Sequence, residues 1–176
     1  EDLALSELLV GTVETGAVRR ISSSAHFTAC RWSPDGTRIA AIQAPTALVD
    51  DRYMSRSMAI VDPETLEVTD VIDHKAKLGD FCWSPDGQHL AIIAGKDQHD
   101  PKEARLFTYA VDKKSFKQIL AGFKGAFEAV AWVNRQDILF VASESTSNTI
   151  GTVNAKGKGL KRILDKERMS FSKVSM

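Results

Sequence analysis

Two acids, a base and a phenol stand in a row at Asp50, Asp51, Arg52 and Tyr53. Held over a cavity, charged groups of this kind select the amino or carboxyl end of a peptide by hydrogen bonding and complementary charge. A solvated loop is the plainer reading of the same residues. Asp97, His99 and Asp100 form a second polar group. They could be drawn as a metal cluster, but a polar loop is the better account. Asp35 and Asp86 resemble paired carboxylates only until their neighbours are read. Each lies in a copy of the same five-residue turn, where an aspartate bonds back to its own backbone. No Gly-x-Ser-x-Gly stretch is present, so no nucleophile elbow can be placed. Four histidines and two cysteines show no metal-ligand spacing. No catalytic residue, metal site or cofactor is assigned.

The elements that would position these residues repeat. Trp32-Ser33-Pro34-Asp35-Gly36 returns as Trp83-Ser84-Pro85-Asp86-Gly87, and a worn copy starts at Trp132, with Asn134-Arg135-Gln136-Asp137 in place of the turn. The tryptophans recur at intervals of 51 and 49 residues, from 32 to 83 to 132. A fixed period near this length marks a repeat architecture. Proline presets one backbone angle of the turn, aspartate bonds back to the chain, and Gly36 and Gly87 take the positive-φ position. Short apolar, β-branched runs such as Ile39–Ile42, Leu90–Ile93 and Ile138–Ala142 flank the turns and predict strands. A second hairpin follows each first one, around Pro63-Glu64-Thr65, Asp112-Lys113-Lys114 and Ala155-Lys156-Gly157. Four antiparallel strands per period make a propeller blade. Tryptophans that recur with the repeat are read as packing between blades.

The fold class is therefore all-β, a partial β-propeller with three complete four-stranded blades and incomplete blades at both ends. Residues 1–24 read as an outer half-blade around Glu14-Thr15-Gly16. Blades follow at 25–74, 75–122 and 123–164, and 165–176 reads as the first strand of a further blade, with Phe171–Met176 as its strand. Propellers typically close with 4 to 8 blades, so the remaining blades of a larger parent are expected as partners. Uncovered blade faces and edges would make the piece self-associate. Two connections exceed the usual short loop, 43–57 and 95–104. Both join the second strand of a blade to the third and are expected on the face opposite the Asp-Gly turns. Long loops grouped on one face are where function is usually carried.

Composition adds exclusions. The chain has 23 basic and 23 acidic residues and a net charge of +0, so nothing electrostatic favours nucleic acid or an anionic membrane. The basic residues Lys156, Lys158, Lys161, Arg162, Lys166 and Arg168 are broken up by glycines and acids and read as a solvated hairpin. No apolar run approaches the ~20 residues of a membrane span. Glu1-Asp2-Leu3 shows neither the basic region nor the apolar stretch of a signal peptide, which leaves cytoplasm and periplasm both open. Cys30 shares a strand face with Trp32, whereas Cys82 points away from Trp83. Buried free thiols are expected rather than a disulfide.

The Trp-Ser-Pro-Asp-Gly turns resemble those of TolB-like propellers and of the propeller domain of prolyl-oligopeptidase-family serine peptidases. Two segments are more discriminating. One is Ala44-Pro45-Thr46-Ala47-Leu48-Val49-Asp50-Asp51-Arg52-Tyr53-Met54 with Ile60-Val61-Asp62. The other is Leu78-Gly79-Asp80-Phe81 running into the second turn, then Ala94-Gly95-Lys96-Asp97 and Asp100-Pro101-Lys102-Glu103. Both are similar to bacterial members of the acylaminoacyl-peptidase and dipeptidyl-peptidase branch. The resemblance covers nearly the whole chain. It implies a non-catalytic propeller that covers an α/β-hydrolase domain and admits short peptides. The catalytic serine, aspartate and histidine would lie in that absent domain, and Asp50–Tyr53 would meet either the peptide or the hydrolase domain. The alternative is a TolB-like scaffold that binds protein partners and catalyses nothing.

Overall fold

The computed structural model describes residues 4–21, 23–102 and 104–167. The chain divides into two compact units, Glu1–Lys75 and Ala76–Met176.

In the first unit, β1 (Leu9–Gly11) and β2 (Val18–Arg20) pair antiparallel. The reversal is closed by the Gly16 amide on the Thr12 carbonyl at 2.8 Å, with Gly16 at φ +68°. A four-stranded antiparallel sheet follows in the order β3 (His26–Trp32), β4 (Ile39–Ala44), β5 (Ser57–Val61), β6 (Val68–Ile72). Alternating apolar residues of both sheets meet in one core of Leu8, Val10, Ile21, Phe27, Ile39, Ala41, Ala59 and Val61. Polar ties reinforce it. The Ser6 amide donates to His26 Nδ1 at 3.0 Å, and the Arg19 guanidinium donates to the carbonyls of Pro63 and Glu64 at 3.0 and 2.9 Å.

The second unit holds two such sheets. One runs β7 (Leu78–Trp83), β8 (His89–Ala94), β9 (Arg105–Ala110), β10 (Ser115–Ile119). The other runs β11 (Ala126–Trp132), β12 (Asp137–Glu144), β13 (Ser147–Asn154), β14 (Lys161–Glu167). Ile93, Leu106 and Ile119 of the first pack on Phe127, Val130 and Phe140 of the second. Phe123, Phe127 and Phe140 cluster with ring centroids 4.8 to 5.8 Å apart. In every four-stranded sheet the register of the first pair shifts near the start of the strand, between Phe27 and Ala29, Leu78 and Phe81, and Phe127 and Ala129. Such bulges bend a strand and increase its twist.

Among the described residues the strand content and the first-to-fourth strand order are those of propeller blades, three four-stranded and one two-stranded. Several particulars differ from the sequence reading. The connection 43–57 is not all loop, because Val49–Met54 forms a short helix, α1. The last strand of the third blade passes residue 164 and is described as far as Glu167. The reading of Phe171–Met176 lies outside the described residues.

Neither Cys30 nor Cys82 is in a disulfide; Cys30 is exposed rather than buried, and Cys82 is half-buried. Trp32 is 51% exposed, whereas Trp83 and Trp132 are 7% and 6% exposed. The third tryptophan shows the reason. Trp132 Nε1 donates to the Cys82 carbonyl on β7, the first strand of the preceding blade, at 3.2 Å. Among the described residues the sheet before Trp32 has two strands, equivalent to a third and fourth, and offers no such strand.

Candidate functional site

The Asp-Gly turns are built from their own side chains. Ser33 Oγ donates to Asp35 Oδ1 at 2.6 Å and accepts the Arg38 amide at 2.9 Å, while Asp35 Oδ1 accepts the Thr37 amide at 3.1 Å. The second copy repeats this with the same distances, through Ser84, Asp86, Gln88 and His89. The Ser33 hydroxyl and the Thr37 amide hold the Asp35 carboxyl below its ordinary value. Burial pushes Asp86 up, but the Ser84 hydroxyl and the Gln88 amide outweigh it, and the net direction is again down. In the worn copy Asn134 Oδ1 accepts the amides of Gln136 and Asp137 at 2.7 and 2.9 Å. All three turns thus use their polar groups to close the chain, which leaves neither Asp35 nor Asp86 placed for acid–base work.

The β4–β5 connection is different. Its helix α1 has no side-chain N-cap bond and buries none of its residues. It is held from outside by the Thr46 hydroxyl, which donates to Asp51 Oδ2 and accepts the Leu48 amide at 3.1 Å. Arg56 Nε donates back to the Arg52 carbonyl, and its guanidinium lies 5.6 Å from the centre of the Tyr53 ring. Asp50 and Arg52 are exposed, and so are the apolar side chains of Leu48, Val49 and Met54 and the Tyr53 ring. Asp50, Asp51, Arg52 and Tyr53 therefore lie on one helical turn, with Asp51 already engaged by its own loop.

The β8–β9 connection folds on itself. Asp100 Oδ2 accepts the Lys96 amide at 2.6 Å, Asp97 Oδ1 accepts the His99 amide at 2.9 Å, and Lys77 Nζ donates to the Pro101 carbonyl at 2.6 Å. The two carboxylates are occupied by backbone, as a polar loop requires. Among the described residues no group of three or more histidine, cysteine or acidic side chains is placed to hold a metal.

One arrangement escapes the sequence reading. Arg162 on β14 forms a bidentate pair with Glu144 at the end of β12, one arm at 3.0 Å, and also donates to Thr149 Oγ at 3.0 Å. Thr149 is fully buried and donates to Glu144 Oε1 at 2.8 Å. The guanidinium lies 5.7 Å from the centre of the Phe123 ring. The partners are 18 residues apart and meet only through the pairing of β12, β13 and β14. By sequence Arg162 is one member of a solvated basic hairpin, and the structure corrects that. A local scan of charge cannot see such a pair.

No protein-family model matches the chain. Over 102 residues, 56% of the chain, it is 28% identical to one of the subunits of eukaryotic translation initiation factor 3 from Xenopus laevis and covers 13% of that protein. Among solved structures it resembles TolB from Acinetobacter baumannii, with a TM-score of 0.61 and 17% identity over 89% of this chain and 37% of that one. It also resembles the acylaminoacyl peptidase of Pyrococcus horikoshii, with a TM-score of 0.57 and 13% identity over 79% of this chain and 25% of that one. The chain thus spans well under half the length of each of these proteins. At such identities the structural likeness is one of fold, and that fold is a TolB-like β-propeller.

Proposed function

We propose that the chain is the non-catalytic propeller portion of a prolyl-oligopeptidase-family serine peptidase, which gates and orients short peptides for a hydrolase domain outside these residues. The observation that carries this reading is helix α1. Joining the second and third strands of a blade requires very little chain, since Ser145 and Thr146 alone do so between β12 and β13. The β4–β5 connection instead spends residues 45–56 on a loop whose helix α1 buries none of its residues, and it presents Leu48, Val49, Tyr53 and Met54 beside Asp50 and Arg52. Exposed apolar groups rimmed by charge mark a surface for a partner or ligand. The fold shared with an acylaminoacyl peptidase supplies a candidate for what is covered. Asp50, Arg52 and Tyr53 would then meet the peptide or the hydrolase domain.

The second reading is a TolB-like scaffold that binds protein partners and has no enzymatic activity. It is favoured by the similarity to a component of a translation initiation factor. One experiment separates the two. The full-length protein is isolated from its source with an antibody to these blades, weighed intact, and treated with a fluorophosphonate probe. A polypeptide several times this length that takes up the probe supports the peptidase. A protein of propeller size that ignores the probe overturns that reading in favour of the scaffold.

A further inference from the structure

Two adjoining recesses, of about 680 and 670 Å³, open around the β10–β11 connection of the second unit and share Gly122, Phe123 and Lys124. The first extends to Ser145, Thr146, Ser147 and Arg162, and the second to Lys96 and Arg105. Among the described residues their charged lining is Lys96, Arg105, Lys124, Arg162 and Glu144. Arg162 already satisfies that carboxylate. Just outside the lining, Asp100 binds the Lys96 amide at 2.6 Å and lies 3.9 Å from Arg105 Nε. With Arg162 paired to Glu144 and Arg105 beside Asp100, the positive charge left over among the described residues of this surface is that of Lys96 and Lys124. The Arg162 guanidinium is held from behind by Glu144 and Thr149 and rests over Phe123, so its position is set before any ligand arrives. Preorganised donors lose less entropy on binding than mobile ones.

We propose that these recesses bind an acidic peptide segment. Its carboxylates would lie toward Lys96 at one end and toward Lys124 at the other, beside Arg105 and Arg162. A lone oxyanion would meet one lysine and leave the other unmatched, which is why a peptide with more than one carboxylate fits better than a small anion. The inference stands whether or not a hydrolase domain accompanies the propeller, and it lies on a different connection from α1.

The test is fluorescence anisotropy of the 176-residue chain with two fluorescein-labelled hexapeptides. One has glutamates flanking a central leucine, and the other has glutamines in their place. The glutamate peptide should bind about tenfold more tightly, the worth of one charged hydrogen bond. Lys124→Glu and Lys96→Glu, both at exposed positions, should each remove that preference, while Lys156→Glu on the β13–β14 turn should leave it intact. Equal binding of the two peptides, or a preference that survives both reversals, overturns the proposal. Displacement of the peptide by an equal concentration of inorganic phosphate also overturns it, in favour of a simple oxyanion site.

Discussion

Ser84 is fully buried, and its hydroxyl joins the Asp86 carboxylate to the His89 amide at 2.6 and 2.9 Å. Ser84→Ala leaves both partners without it, and urea denaturation should show a loss of about 1–3 kcal/mol. Gly36→Ala isolates a different cause. Nothing lies within 4 Å of the added carbon, but φ is +72°, so strain alone should cost about 1–2 kcal/mol. The two aspartates contribute to the loss of stability in acid. Their folded-state values lie below the ordinary 3.8, so the unfolded chain takes up protons first as pH falls. Their contribution is complete above the ordinary value and disappears as pH drops through the depressed one. Denaturant midpoints measured from pH 5 to pH 2.5 should fall, and fall less steeply in Ser84→Ala, where Asp86 has lost the bond that lowers it. A thiol reagent should label Cys30 quickly and Cys82 slowly, since only the first is exposed.

At the scale of the element, the second and third blades are joined by an indole. Trp132→Phe removes the donor to the Cys82 carbonyl and should cost about 1–2 kcal/mol in the same denaturation assay. Trp32→Phe, at an exposed position, should stay within about 0.5 kcal/mol. Gly151→Ala probes packing between β12 and β14. A Cβ there would lie 2.6 Å from Phe140 Cζ and 2.9 Å from the Lys161 carbonyl oxygen, and overpacking of this kind costs about 1–3 kcal/mol.

Much of this architecture is legible in the residues alone, because turns announce themselves. Gly36 and Gly87 take the positive φ that their turns require, and strand alternation locates the sheets to within a few residues. Helix α1 is not legible. Val49–Met54 has no capping side chain and no buried face, and so leaves neither a start signal nor a periodicity. The exposure of Trp32 depends on its neighbouring sheet rather than on its own sequence. The pairing of Arg162 with Glu144 depends on strand register, which no local pattern encodes.

For the molecule as a whole, the first unit presents Leu9, Val13 and Val18 to solvent as well as Trp32, and β1 is an edge strand of a two-stranded sheet. Exposed apolar edges are templates for pairing with another chain. Sedimentation velocity should therefore show a weight-average mass that climbs with concentration above the 19.3 kDa of one chain. A single 19.3 kDa boundary at every concentration would contradict this.

The order of strands across each four-stranded sheet matches the order of synthesis, with every strand hydrogen-bonded to the one made just before it. Nothing in a blade has to wait for a distant segment, so loop-closure entropy is small at each step and the barrier to forming a blade is low for an all-β protein. The chain is thus suited to fold vectorially. Each blade can close as it clears the ribosome, so a translational pause between repeats would interrupt growth without stranding a half-made sheet.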